Sequence, residues 1–309
     1  MMKRMNLSSG KPRGFTLVEA IVVLVLTGIL SGILVLFIRQ PVQNYTDVAG
    51  RVDLTDTADL ALRRMARELR SALPNSIRVT SIGGVWWLQF IPTKAGLQYL
   101  ALEDNAGPGF HPLDFHVQAT PTFSVVGPMP TGTATIVANA DDYVAIYNLG
   151  NGIAGADAYT LANVAQVTQV VQGATENTIS MAGKTVSNPF YVPVGKVPNS
   201  SPDHRFSVIN PPVTFRCEGK VDGSGTLTRI ASTGFGGFSV AQPTPDLSSN
   251  PPKLASNVLG CDFSYTQTAN LQTGLIGMTL TLARPRLGGA AGELEKITLV
   301  HQIHVDNTP

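Results

Sequence analysis

From Ala20 to Ile38 the chain runs for nineteen residues without a charge. Coiled as a helix at 1.5 Å per residue, the run is about 28 Å long, enough for one crossing of a bilayer's hydrocarbon layer. Lys3, Arg4, Lys11 and Arg13 precede it with no acid among them, and such basic flanks stay on the cytoplasmic side. The expectation is a single-pass segment whose N-terminus is cytoplasmic, with the chain after Pro41 on the far side. One residue complicates this. Glu19 stands at the head of the apolar run; an acid at mid-membrane costs roughly 2.5 to 3.5 kcal/mol and persists mainly where a functional partner meets it.

Three readings of the segment differ in what they explain. A secretory signal peptide has an apolar core of about 7 to 15 residues followed by a small-residue cleavage site. This run is longer and leaves through Phe37-Ile38-Arg39-Gln40-Pro41 with no such site. A permanent signal anchor accounts for length and orientation but not for the block Gly14-Phe15-Thr16-Leu17-Val18-Glu19. That block, a basic leader ending in glycine, then phenylalanine, three residues and glutamate at the start of an apolar helix, resembles the type IV prepilin signal. The resemblance implies cleavage between Gly14 and Phe15 by a prepilin peptidase and N-methylation of Phe15. It also gives Glu19 a role in filament registration. The amino group of one subunit would face the Glu19 carboxylate of its neighbour, each offsetting much of the other's desolvation. Loss of residues 1–14 would remove four of the 22 basic residues, taking the formal net charge from +1 to −3 (18 − 21).

The segment 41–74 reads as an amphipathic continuation of the helix. Val48, Val52, Ala58, Leu62, Met65, Leu69 and Leu73 recur at helical spacings and are expected on one buried face, with Asp53, Asp56, Arg63, Arg67 and Arg70 largely elsewhere. Asp59–Arg63 and Arg64–Glu68 are i,i+4 pairs of opposite charge. Gly28 and Pro41 are the expected bend points, and Pro74-Asn75 the expected stop. Beyond Asn75 the pattern changes to short alternating runs: SIRVTSI, VWWLQFIP, LQYLAL, DYVAIYNLG, NTISMA, VTFRCEG, TLTRIAS, CDFSYTQ, GMTLTLARP and EKITLVHQIHV. Gly, Pro, Asn and Asp clusters separate them. No second long helical pattern intervenes, so the sheet is expected to be mainly antiparallel. Whether it forms one sheet or two lobes is open in this pattern.

Only 14 % of the chain is charged, against 30 Gly and 21 Pro, a composition suited to an exported, turn-rich β protein. No basic run follows the N-terminus, which argues against nucleic acid as a partner. In an oxidising compartment Cys217 and Cys261 would form a disulfide across a separation of 44 residues (261 − 217), worth about 4 kcal/mol in the chain-entropy estimate; two buried free thiols are the alternative.

Catalytic chemistry finds little support. His301 and His304 fall on opposite faces of a strand, and His111, His116 and His204 are isolated. Ser224 sits in a hairpin-turn context. Asp141-Asp142 and Glu103-Asp104-Asn105 read as polar turns without the ligand density of a calcium loop. Of Trp86 and Trp87, one faces in and one out, with core packing the default reading. No catalytic residue, cofactor or metal site is expected.

A second resemblance is carried by QPVQNYTDVAGRVDLTDTADLALRRMARELRSALPNSIRV and the C-terminal LVHQIHVDNTP, which look like the minor pilin-like biogenesis proteins of the mannose-sensitive haemagglutinin (MSHA) pilus. The two resemblances imply an α+β, type IV pilin-like fold: a cleaved leader 1–14, a transmembrane and filament-core helix 15–40, its amphipathic continuation 41–74 and a periplasmic β-rich head 75–309. Implied partners are the prepilin peptidase, other major and minor pilins, the inner-membrane assembly platform and, before assembly, membrane lipid. The location moves from inner membrane to pilus. A pseudopilin of a type II secretion system shares the same N-terminal physics. A tip adhesin and a membrane-anchored periplasmic enzyme are the readings from other classes.

Overall fold

The computed structural model describes residues 14–309 except 105–106, 120, 184–187, 236–250, 268–271 and 287–291. Asn105 of the expected polar turn therefore lies outside the described residues. A single 54-residue helix, α1 (Leu17–Arg70), passes Gly28 and Pro41 without interruption. It stops four residues before Pro74. The hydroxyl of Ser71 donates to the Glu68 carbonyl at 2.8 Å, and the next residues pair with a strand exit instead of continuing the helix. Leu73 N–H donates to the Ile91 carbonyl at 2.7 Å, and Thr93 N–H to that of Ser71 at 2.8 Å.

Thirteen strands follow among the described residues: β1 (Arg78–Ile82), β2 (Val85–Phe90), β3 (Thr93–Tyr99), β4 (Thr122–Val126), β5 (Tyr143–Ala145), β6 (Val164–Gln172), β7 (Asn177–Ala182), β8 (Arg205–Ile209), β9 (Val213–Glu218), β10 (Gly225–Ala231), β11 (Lys253–Gln267), β12 (Thr273–Pro285) and β13 (Leu294–Asp306). They form two bodies. A seven-stranded sheet has the order β1-β2-β9-β10-β11-β12-β13, and a closed barrel the order β3-β4-β7-β6-β5-β8. Every ladder in both is antiparallel.

The barrel is an insertion. β2 and β9 pair like the arms of a hairpin, Phe90 opposite Val213 and Val85 opposite Glu218, and the whole barrel occupies the place of their loop. Three of its strands, β4, β6 and β8, have no counterpart among the alternating runs. In β6 the cause is a register shift between Val167 and Gln169. Such a bulge puts two residues against one and breaks the period of two that marks a strand. β4 and β8 are five residues each, the same length as β1, which the alternating runs do include.

The sheet wraps the second half of α1. Leu54, Ala58, Ala61, Leu62, Met65 and Leu69 are at most 3 % exposed and share one core with Leu88, Phe90, Phe215, Met278 and Ile303. Val48 and Val52, expected on this face, are 61 % and 53 % exposed. Val52 lies two residues before Leu54, about 200° around the helix, so both valines point away from the head. Asp59–Arg63 and Arg64–Glu68 pair at 2.7 Å and 3.3 Å. Glu68 also accepts from Arg229 of β10 at 2.8 Å.

Cys217 of β9 and Cys261 of β11 are joined as a disulfide, Cα atoms 6.4 Å apart. These strands are not neighbours, since β10 lies between them. After Val258 the chain leaves β10 and crosses its hairpin with β9: Lys220 N–H donates to the Val258 carbonyl at 3.1 Å. Two glycines allow this crossing. A Cβ on Gly225 would stand 2.2 Å from the Glu218 carbonyl oxygen and 2.3 Å from that of Val258, and one on Gly219 would stand 2.7 Å from that of Leu259. The crossing brings Phe263 edge-on to Trp86, ring centroids 6.3 Å apart, on the helix side of the sheet. Trp87, on the other face, lies beside the Arg216 guanidinium at 5.4 Å.

Where α1 first meets the sheet, Arg284 of β12 donates to the carbonyls of Thr46 and Asp47, each at 3.1 Å. Gly50 makes the room, because a Cβ there would overlap the Arg284 guanidinium. Glu295 of β13 accepts from Arg284 at 2.9 Å and also from Arg51. Hydrogen bonds from Arg51 first and Arg284 second, against some desolvation, hold the Glu295 carboxyl below the usual glutamate range. A folded value depressed in this way stabilises the fold fully above the ordinary glutamate pKa of about 4.3, and the contribution is lost as pH falls through the folded value. Glu295→Gln is therefore expected to lower Tm by a few degrees at pH 7. That difference from the parent should narrow as pH falls below the ordinary glutamate range and the Glu295 carboxylate takes up its proton, which thermal melts across the acid range will read.

Candidate functional site

The N-terminal half of α1 has no fold partner. Its large apolar side chains from Phe15 to Ile38 are between 48 % and 80 % exposed. Soluble monomers rarely expose a contiguous apolar surface larger than a few hundred square ångströms, so this surface is built for lipid or for other helices. By length and composition, α1 is able to cross a membrane once, and the crossing window has none of its residues buried. Thr27 keeps its hydroxyl satisfied within the helix by donating to the Val23 carbonyl at 2.7 Å, as an apolar environment requires.

Gly14, Phe15 and Thr16 precede the helix as extended chain. Among the described residues nothing lies within 4 Å of where a Gly14 Cβ would be, and Phe15 is 76 % exposed. Thr16 is the N-cap: its hydroxyl oxygen accepts from the Glu19 N–H at 3.3 Å. Glu19 thus has a local role at the third helical position, where an acid also complements the helix dipole. Its carboxylate makes no hydrogen bond or ion pair among the described residues. The Thr-x-x-Glu spacing was visible in the sequence, and capping logic alone would have found it.

The remaining candidates are dispersed over the head. Ser124 and His111 both contact the Glu176 carboxylate, the imidazole Nδ1 at 2.9 Å. These hydrogen bonds, Ser124's first, hold Glu176 below its ordinary value. The carboxylate stands between hydroxyl and imidazole, whereas nucleophile activation needs the imidazole between the other two. His204 pairs with Glu103 at 3.0 Å, and the His116 ring lies 2.9 Å from the Val192 carbonyl. Asp142 is buried against Lys94 at 2.7 Å and accepts from Val137 N–H, which leaves it no role in a calcium turn. Asp222 accepts from the backbone and hydroxyl of Ser224 in a β9–β10 turn. Among the described residues no three His, Cys, Asp or Glu side chains are grouped to hold a metal.

Residues 10–35 match the family model of the prokaryotic N-terminal methylation motif. The chain carries that motif on a type IV pilin-like fold. The match takes in Gly14, Phe15, Glu19 and most of the uncharged run, and stops short of the head. No curated protein and no solved structure matches the chain. The prepilin-like N-terminus and the disulfide lie in separate parts of the molecule, one on the free helix and the other in the head core.

Proposed function

We propose that this chain is a minor pilin: cut after Gly14, N-methylated on Phe15, and assembled with other pilins into a type IV pilus, for which it helps prime growth near the tip. One observation carries the reading. A methylation motif at residues 10–35 heads an apolar helix with no partner in its own fold, which is the form a subunit needs if it waits in a membrane and is then buried among like helices. The orientation that fits places the leader in the cytoplasm and the head in the periplasm of an inner membrane. The pilus of choice is MSHA-like, because the segment from Gly14 to Val79 and the C-terminus resemble the biogenesis protein MshO. Placement near the tip rests on size. With a six-stranded barrel added to a seven-stranded sheet, the head is bulky for a filament made only of its own copies.

Mass spectrometry of the protein's N-terminus, from cells with and without prepilin peptidase, tests the reading. The expected mature chain starts at N-methylated Phe15 only where the peptidase is present. Retention of the leader in both strains would make the chain a membrane-anchored β protein of another function. Loss of pili when the protein is deleted supports assembly; normal pili with lost attachment would move its role to adhesion.

A further inference from the structure

A cleft of about 950 Å³ lies along the joint between sheet and barrel. Its wall is braced by amides: Asn307 Nδ2 donates to the Tyr265 hydroxyl at 2.9 Å, and Asn75 Nδ2 to the Asn307 carbonyl at 3.1 Å and the Asn148 carbonyl at 3.0 Å. One network thus ties the helix exit, the barrel and the C-terminal strand together, so the cleft has a shape set in advance. Tyr147, Asn151, Gln267 and Thr80 line it. Tyr147 also lines an adjoining cleft of about 640 Å³ and has a left-handed backbone, φ 48°, a cost of about 1 to 3 kcal/mol that persists only where the surroundings impose it.

Two charged side chains, Arg78 and Asp203, stand among the lining residues. The Arg78 guanidinium lies 3.4 Å over the Tyr159 ring and donates to Gln89, and Asp203 pairs with Arg205 at 3.5 Å. The rest of the surface offered is neutral: amides that donate and accept side by side, hydroxyls, a tyrosine ring, and the exposed apolar side chains of Leu149 and Ile153. Paired donors and acceptors match vicinal hydroxyls, and ring faces match the C–H face of a pyranose. We propose that this cleft binds a neutral glycan segment of about two or three sugar rings, a size that pockets of this class hold. Its place in the chain suits display. About 42 Å of helix, from Val42 to Arg70, separates the apolar segment from the cleft.

The inference stands apart from filament assembly and is tested on the full-length chain in a sugar-free detergent. Neutral trisaccharides built on glucose, galactose, mannose and N-acetylglucosamine, with sialyllactose as the charged comparison, are titrated and followed by ligand-observed NMR. Two variants locate the site. Tyr147→Gly removes the ring and tolerates the positive φ, and Asn151→Ala changes an exposed side chain that makes no hydrogen bond among the described residues. The expected result is saturable binding of at least one neutral trisaccharide with Kd at or below about 1 mM, weakened about fivefold or more by each variant, with Tm unchanged in Asn151→Ala and the head still folded in Tyr147→Gly, whose ring also packs against the barrel core. Absence of saturable binding by every neutral sugar, preference for sialyllactose, or binding indifferent to both variants overturns the proposal.

Discussion

Glu19→Ala is expected to remove the protein from sheared filaments almost completely while leaving it in the membrane with its head folded. The head melts independently of this residue, because α1 is first buried at Gly50, far from Glu19. Membrane retention should be unchanged or improved, since an acid costs roughly 2.5 to 3.5 kcal/mol at mid-membrane and less near the boundary. The local loss is one acid in the first helical turn, worth about 0.3 to 1 kcal/mol, too little to melt a 54-residue helix. If assembly is lost at unchanged membrane level and unchanged head Tm, the carboxylate acts between subunits. Glu19→Gln separates charge from shape: a neighbour's cationic amino group needs the charge, so the amide should fail as the alanine does. Full incorporation of either variant would leave Glu19 only its capping position.

The second large effect concerns the head. Replacing Cys217 and Cys261 together by alanine is expected to remove about 4 kcal/mol by the chain-entropy estimate for a separation of 44 residues. At about 2 to 4 °C per kcal/mol for larger domains, Tm falls by roughly 8 to 16 °C. The bond holds β11 against β9 across the intervening β10, at the place where the sheet folds over its own hairpin. Its loss frees the edge of the core that includes Phe263 and Trp86. Scanning calorimetry with and without reductant checks this. Reductant should bring the parent chain down to the double variant's Tm and leave the double variant unmoved. Equal melting of parent and variant without reductant would show that the crossing holds itself.

The helix and the strands of the sheet were readable because their signals are local. Nineteen uncharged residues, a basic leader and the Gly-Phe-x-x-x-Glu block need no knowledge of the rest of the chain, and each strand of the sheet produced an alternating run. The barrel was half hidden: the bulge in β6 scrambles alternation, and β4 and β8 had no counterpart among the runs. Val48 and Val52 misled for a different reason: spacings of three and four are loose enough to group them with Leu62 and Leu69, while the face that meets the head is the one that carries Gly50, Leu54 and Ala58. Which face that is depends on Arg284 and Glu295 meeting Gly50 and Arg51, a contact over 244 residues of separation for the Arg51–Glu295 pair that leaves no mark in any window of sequence.

By itself the sequence determined the membrane-length apolar helix, the methylation motif and the α+β class, because hydrophobic length and short-period alternation act residue by residue. Only the tertiary structure decided that the barrel interrupts the β2–β9 pair, that the disulfide spans non-neighbouring strands, and that a cleft opens at the joint. Those features depend on which distant segments share a surface, and the energy that selects among such pairings comes from burying both partners at once.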